Sequence, residues 1–268
     1  MPKQRLWLML ASILLIVGII GSVLTYRASN ASERIMEKKA FDVNNITEFY
    51  VESDNASVEI IPTDEEVMTV EFTANESHTK YKFEAKQDGN KLSVIAKEKF
   101  LKFFNVSFDF DFSSPKLVIQ LPEKQYENLQ VDVDNGKIIA ENLTIENVDL
   151  ESENGRIRVS SLDATSTKVQ SENGRIELQD VTGAITGDVT NGSTTLITDN
   201  LDRPIDLESV NGRIEVQTEN EPTNATIDIS VVNGKGEIFG RDSEHEIFGD
   251  GENKVNLKTV NGSVTVTK

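Results

Sequence analysis

The chain contains no cysteine, which excludes disulfide bonds, thiolate metal sites and cysteine nucleophiles together. Histidine is nearly absent as well, because His78 and His245 are the only two and each lies in a polar stretch. A zinc site or a catalytic triad based on histidine therefore has no candidate set of residues. No glycine-rich phosphate-binding motif occurs either. We expect a protein that is not an enzyme and has no catalytic residues, no metal ion and no cofactor.

Basic residues are in the minority, since 27 Lys and Arg face 45 Asp and Glu and the formal net charge is -18. Nucleic-acid binding needs clustered Lys and Arg at the phosphates, so this balance argues against a nucleic-acid partner. An excess of acid is typical of a solvated surface that keeps a protein soluble, and it also suits cations or basic partners.

Charge is missing altogether from Leu6 to Tyr26, the run LWLMLASILLIVGIIGSVLTY that follows the basic start MPKQR. As a helix rising about 1.5 Å per residue, this run spans roughly 31 Å, which matches a bilayer core of about 30 Å. Trp7 and Tyr26 lie at its two ends, where interfacial aromatic residues are typical. The run predicts an uncleaved transmembrane anchor, and a signal peptide cleaved after Ala31 is the alternative.

The cations around this run do not fix its orientation by count alone. Lys3 and Arg5 precede it, and four cations follow it: Arg27, Arg34, Lys38 and Lys39. A basic segment before an apolar helix is the usual export signal, so we predict a single-pass cell-membrane protein with an extracytoplasmic C-terminal domain. A domain on the cytoplasmic face is the alternative. The predicted divisions are a tail at 1–5, the anchor at 6–26, a linker at 27–40 and a β-domain at 41–268.

Seven Asn-Gly pairs recur at spacings of 19, 19, 18, 20, 22 and 28 residues, and a regular period near 20 is typical of a repeat protein. Both residue types tolerate the positive φ that tight turns need, so we predict seven structural turns. The turn residues are Asn135, Gly136, Asn154, Gly155, Asn173, Gly174, Asn191, Gly192, Asn211, Gly212, Asn233, Gly234, Asn261 and Gly262.

The residues after each pair alternate between polar and apolar, as in Arg156-Ile157-Arg158-Val159. This period of two predicts strands with one buried face. A meander of hairpins and a β-solenoid both fit, but the near-constant period favours a solenoid whose rungs stack about 4.8 Å apart. The fold class predicted is all-β, with regular rungs at 123–268 and degenerate rungs at 41–122, where Asn55-Ala56 takes the place of a pair. Acidic residues beside the turn cations are expected to interleave with them and offset their repulsion.

Two candidate interaction surfaces are present. The stretch KFLKFFNVSFDFDFSSP at 99–115 holds half of the phenylalanines, and within it the rings of Phe108, Phe110 and Phe112 point to one side of a strand. This strand either caps the end of the solenoid or offers an exposed aromatic face to a partner or the membrane surface. The second candidate is the ladder of turn cations, which includes Arg156, Arg175 and Arg213.

The stretch KLVIQLPEKQYENLQVDVDNGKIIAENL at 116–143 resembles the putative adhesin family of bacterial envelope proteins. The resemblance begins with a strand that ends in Leu121-Pro122. A polar bridge, an apolar strand and an Asn-Gly turn come next, and stacked NGRIEV units follow. With its single anchor the chain looks like a LiaG-type member, and the resemblance covers roughly 41–268. It implies a membrane-anchored extracytoplasmic β-solenoid associated with envelope stress in Gram-positive bacteria. The family has no agreed catalytic residues, so none is carried over.

These observations favour a non-enzymatic interaction or regulatory protein of the cell envelope, linked to envelope stress. Its expected partners are the cytoplasmic membrane, through the anchor, and another envelope protein. The alternative is adhesin-like binding of a cell-wall polymer. A polysaccharide-active enzyme is a third reading, by analogy with other solenoid proteins.

Overall fold

The computed structural model describes residues 14–19, 33–76, 80–99 and 114–268. Residues 14–19 are helical, and most of the predicted anchor at 6–26 lies outside the described residues. No helix within the described ranges is long and apolar enough to cross a membrane. The predicted linker at 27–40 is partly wrong, because the chain is a strand from Glu33 onward and pairs along its whole length with a second strand. A non-local partner here outweighs the polar local pattern.

Apart from this helix and a short 3-10 turn at Val43–Asn45, the described regular structure is all β. The fourteen strands of the described residues belong to one sheet. In chain order they are β1 Glu33–Asp42, β2 Glu48–Ser53, β3 Ser57–Thr63, β4 Val67–Glu76, β5 Lys80–Asp88, β6 Lys91–Lys99, β7 Lys116–Pro122, β8 Tyr126–Asp163, β9 Ser166–Val181, β10 Ala184–Thr198, β11 Ile205–Thr218, β12 Ala225–Ile238, β13 His245–Phe248 and β14 Asn253–Thr267.

The regular part of the sheet is a parallel stack of rungs, as a solenoid requires. Strands β8 to β11 stack in sequence order, and asparagine lies opposite asparagine and glycine opposite glycine at each step. Strand β8 is long enough to supply two rungs, since its first part pairs with β2 and β3 and its second part with β9. The predicted solenoid-like repeat is therefore confirmed.

Each rung bends at its Asn-Gly pair, and we call this bend the corner. Val133 and Ile138 would face opposite sides of a straight strand because their positions differ by an odd number. Both are fully buried, so the chain changes direction between them and both arms of the rung face the same core. The corner is part of a continuous strand and is not a two-residue hairpin turn.

The last rungs do not stack in sequence order. Strand β14 lies between β11 and β12, so the final segment of the chain is inserted into the stack. Val264 of β14 is fully buried in the core, whereas the equivalent position of β12 is Gly236, which has no side chain. A rung with less apolar side-chain volume is best placed at the end of the stack, where it needs to cover only one neighbour.

The N-terminal part combines two rungs with an antiparallel cap. Strands β2 and β3 form one rung around Asn55, and β6 and β7 stack beneath them in parallel. Strands β1, β4 and β5 pair antiparallel instead, so the prediction of degenerate rungs throughout 41–122 is only partly right. Phe72 joins the two halves of this cap, because its ring stacks on Phe83 at 5.3 Å and meets Tyr81 edge-on at 5.7 Å.

Candidate functional site

The corner asparagines form an unbroken hydrogen-bonded ladder on the surface. Each one after Asn55 donates from Nδ2 to Oδ1 of the asparagine in the preceding rung of the stack, at 2.8 to 3.0 Å. An amide group has two donor hydrogens and two acceptor lone pairs, so each member inside the ladder still has one donor hydrogen and one acceptor lone pair for a ligand. In spatial order the ladder runs through Asn55, Asn135, Asn154, Asn173, Asn191, Asn211, Asn261 and Asn233.

The glycines next to the ladder are required by close packing between rungs. A Cβ atom added to Gly174 would lie 1.8 Å from the carbonyl oxygen of Gly155 and 2.9 Å from its carbonyl carbon. Gly174 is not among the residues with positive φ, so the predicted need for a left-handed turn is wrong at this position. The backbones of successive rungs approach so closely that only glycine fits, and the column next to the asparagines therefore has no side chains.

A column of cations lies on the other side of the glycines. Arg156 and Arg175 are directly opposite each other in adjacent rungs, and Ser193 occupies the same position in the next one. Arg213 follows after Ser193. The glycines form the floor of a groove, which we call the corner groove. This column of cations forms one of its walls, and Asn154 is the ladder residue that lines it.

The corner groove consists of two adjoining cavities of about 660 and 550 Å³. Both are lined by Arg175, Gly192 and Ser193, so they form one continuous channel along the stack. Among the described residues, the first cavity is lined by three cations, which are Lys137, Arg156 and Arg175, and by no carboxylate. In a chain with a net charge of -18, this lining is locally and strongly positive.

Two carboxylates lie beside the cation column. One is Glu215, which lines the second cavity and accepts a hydrogen bond from Nη1 of Arg213 at 3.0 Å. The other is Glu177. Arg158 donates to its Oε2 from Nε at 2.9 Å and from Nη2 at 2.8 Å, whereas Arg156 and Arg175 lie 3.9 and 3.6 Å away. Burial raises the pKa of Glu177, but the hydrogen bonds of Arg158 and the three guanidinium charges outweigh it and hold that pKa below its ordinary value. Glu177 therefore stays charged and is neutralised mainly by Arg158.

Other acidic residues lie on the arm before the corner, away from the cation column. Asp134, Glu153 and Glu172 directly precede the asparagines of three adjacent rungs, and all three are exposed. The pKa of Asp132 is raised by burial and then by the charges of Asp134 and Glu52, as expected for stacked like charges. The predicted interleaving is therefore only partly right. Asp134, Glu153 and Glu172 form an acidic arm on the side of the corner away from the cation column, whereas Glu177 and Glu215 lie beside the cations of that column and Glu208 pairs with Lys258.

Farther along the same column, exposed valines occupy the position that these acids have in the first rungs. Val210, Val260 and Val232 precede the asparagines of the last three rungs and are 45, 42 and 69% exposed. They line a cavity of about 400 Å³ whose other lining residues include Asp188, Thr190 and the ion pair of Glu208 with Lys258. We call these three valines the valine patch. No prediction covered the patch, although valine replaces an acid before the Asn-Gly pairs of the last rungs.

The remaining predicted sites divide between described and undescribed residues. Phe108, Phe110 and Phe112 lie outside the described residues, as does His78. His245 is exposed, and its Nδ1 lies 2.5 Å from Oδ1 of Asp228. Within the described ranges no group of three or more His, Asp or Glu side chains is arranged to hold a metal ion.

These features define a solenoid-like all-β repeat protein whose rungs stack through an Asn-Gly corner. The chain belongs to the Toastrack DUF4097 family, whose model matches residues 46–267. LiaG-type membership stays a prediction. Among curated proteins, none matches the chain significantly.

Several solved structures are similar to this chain at low sequence identity. A "putative cell adhesion protein" from Clostridium sporogenes is 14% identical, with 88% of this chain and 99% of that one covered and a TM-score of 0.42. A "putative adhesin" from Bacteroides fragilis is 15% identical, with coverage of 87% and 97% and a TM-score of 0.44. A "putative adhesin" from Parabacteroides distasonis is 12% identical, with coverage of 87% and 97% and a TM-score of 0.38. Likeness at this level does not transfer a function.

Proposed function

We propose that this protein is a non-enzymatic binding module of the bacterial cell envelope, and that it binds a linear surface polymer along the corner groove. The N-terminal apolar run would hold it at the cytoplasmic membrane, with the solenoid outside. The observation that carries the proposal is the shape of the groove. With rungs about 4.8 Å apart, the glycine floor from Gly136 to Gly262 extends for roughly 24 Å.

The contacts in the groove repeat along a line, which suits a polymer. Each rung from Gly136 to Gly262 offers one bare stretch of glycine backbone, so a ligand with repeating units meets the same groups at each step. A site for a small substrate instead gathers a few polar groups around one point. The geometry therefore favours the polymer-binding alternative over an enzyme.

Photo-crosslinking in living cells tests this proposal with the full-length protein. A photoreactive residue at Ser193 lies inside the groove, and one at Lys86 on β5 provides a matched surface control outside it. We expect adducts of heterogeneous mass, sensitive to wall-degrading enzymes, from Ser193 and none from Lys86. Equal labelling from both positions, or none from Ser193, would contradict polymer binding in the groove.

The valine patch supports a second candidate function, regulation through another envelope protein. Exposed apolar residues in a contiguous group usually mark an interaction surface. The patch extends to β12, whose outer side pairs with β13 only at residues 225–228 among the described strands. A photoreactive residue at Val232 should then give a discrete protein adduct, and Lys86 should not. If Val232 yields no adduct while Ser193 does, the regulatory reading loses its support.

A further inference from the structure

The corner groove carries charges that its own structure does not use. Lys137 forms no ion pair with any described residue, and Glu177 is hydrogen-bonded by Arg158 at 2.8 and 2.9 Å. The guanidinium groups of Arg156 and Arg175 approach Glu177 only to 3.9 and 3.6 Å, beyond hydrogen-bond length. Their N–H donors are therefore free to bind an anion.

We propose that the corner groove selects a polyanion, meaning a linear polymer with a phosphate or carboxylate group on successive units. This inference rests on the proposed function and specifies its ligand. The planar fork of arginine matches the two oxygens of a phosphate or carboxylate, and such charge-assisted pairs are stronger than neutral hydrogen bonds. The amide of Asn154, which also lines the first cavity, would bind a neutral hydroxyl or ether oxygen of the same polymer.

The spacing of the cations fits a repeating ligand. Lys137, Arg156 and Arg175 belong to three successive rungs, so their backbone positions extend over about 10 Å along the stack. Ser193 then leaves one step without charge. Arg213 follows at a further distance of about 10 Å from Arg175, but it is already paired with Glu215 at 3.0 Å, so the first cavity is the more positive part of the groove. A polymer with anionic groups every 5 to 10 Å or so can meet several of these long, flexible side chains at once.

The acidic arm restricts where such a polymer can lie. Asp134, Glu153 and Glu172 repel an anionic chain from the arm before the corner, while the cation column attracts it on the arm after the corner. A charge pattern of this kind steers a ligand and fixes its position more than it adds affinity. The polyanion is therefore expected on the glycine floor beside the cations and not across the ladder of asparagines.

The corner groove is poorly suited to an acidic peptide. Extended peptides usually bind by adding a strand to an open sheet edge. At Gly155 and Gly174 both sides of the strand are already paired with neighbouring rungs, so the described corner offers no such edge there. A polymer recognised through its side groups does not need one.

Fluorescence anisotropy with labelled polymers tests the inference on the full-length protein in detergent micelles. The probes are inorganic polyphosphate, polygalacturonate, neutral dextran and poly-glutamate. We expect the two polyanionic polymers to bind and dextran to bind at least tenfold more weakly. Affinity should fall steeply between about 50 and 200 mM salt because bound counterions are released. Comparison of polyphosphate with polygalacturonate separates a phosphate ligand from a carboxylate ligand.

Two double variants with equal loss of charge separate the groove from the surface as a whole. Arg156→Gln with Arg175→Gln should weaken polyphosphate or polygalacturonate binding at least tenfold. Lys80→Gln with Lys86→Gln, on the exposed face of β5, should leave it within twofold. Similar losses in both double variants would overturn the inference. Unchanged circular dichroism and melting temperature would show that the variants remain folded.

A variant that blocks the corner groove distinguishes the proposal of polymer binding from the inference that the polymer is a polyanion. Ser193→Trp places a bulky ring in the shared part of the groove. If dextran binds as well as the polyanions and Ser193→Trp abolishes both, polymer binding stands and the polyanion inference fails. If no polymer binds, or if Ser193→Trp has no effect, both proposals fail. Tighter binding of poly-glutamate than of either polymer would replace the inference with a peptide ligand.

Discussion

Replacement of Gly174 is the sharpest test of how the rungs are held together. The added Cβ of Gly174→Ala would lie 1.8 Å from the carbonyl oxygen of Gly155, and an ordinary carbon–oxygen contact is about 3.3 Å or longer. The two rungs must therefore separate by roughly 1.5 Å at the corner. Because the obstructing atoms belong to the backbone, no side-chain movement relieves the contact.

A separation of this size breaks the hydrogen bonds that join the two rungs locally. The ladder bond from Asn173 to Asn154 is 3.0 Å long and would be stretched far beyond the usual limit of about 3.2 Å. Loss of two or three such bonds at about 1 kcal/mol each lowers the free energy of unfolding by ~3 kcal/mol. For a domain of this size the melting temperature should fall by about 6 to 12 °C.

Circular dichroism during thermal and urea unfolding measures this change, and two further variants identify its cause. Gly174→Asn should be as destabilising as Gly174→Ala, whereas a left-handed requirement would let asparagine be tolerated. Gly89 has a φ of +61° with nothing within 4 Å of its added Cβ, so Gly89→Asn is the control and should cost less than about 1 kcal/mol. If Gly174→Ala unfolds like the wild type, the close-packing explanation is refuted.

Three other substitutions test the ladder, a loop contact and the groove. Asn173→Asp removes one amide donor and places a carboxylate against an amide oxygen of the ladder, so the urea midpoint should indicate a loss of about 1 to 2 kcal/mol. Burial raises the pKa of Asp202, but hydrogen bonds from Asn224 and Thr223 outweigh it and leave that pKa lowered. The carboxylate therefore stabilises the fold at neutral pH, and the deficit of Asp202→Asn in melting temperature should shrink as the pH falls below about 4. Glu177→Gln removes the carboxylate beside the cation column, so polyphosphate affinity measured by anisotropy should rise about two- to fivefold.

The repeat and its strands could be predicted because their signal is local. Alternation such as Ile157 and Val159 marks a buried face within one rung, and both residues are fully buried. The Asn-Gly pairs located every corner of the regular rungs, and Asn55 joins the same ladder. The reason for glycine was predicted only in part. Four corner glycines, Gly136, Gly192, Gly234 and Gly262, have a φ of +154 to +157°, whereas at Gly174 the close approach of the neighbouring backbone selects glycine.

The order of the rungs and the antiparallel cap could not be predicted from the sequence. The rungs of β12 and β14 have nearly the same pattern, so their order depends on end effects such as Gly236 and not on either segment alone. The positions of the charged residues in the site could be predicted from the sequence, but their hydrogen bonds could not. The period placed Arg156 and Arg175 in one column, and the same step of 19 residues places Arg158 opposite Glu177. The period does not say which of the three arginines donates hydrogen bonds to Glu177, because that depends on the side-chain geometry.

Stability and binding depend on the same column of glycines, and this limits how the groove can change. A side chain at Gly155 or Gly174 would narrow the groove, but its Cβ would also collide with a backbone carbonyl of the neighbouring rung and force the two rungs apart. Substitutions that change the ligand specificity must therefore lie in the walls of the corner groove, above all at the position of Ser193. Substitution of that serine changes the shape or charge of the groove without touching the contact between rungs. A binding defect in Ser193→Trp with an unchanged melting temperature would consequently report on the ligand alone, whereas no glycine variant can.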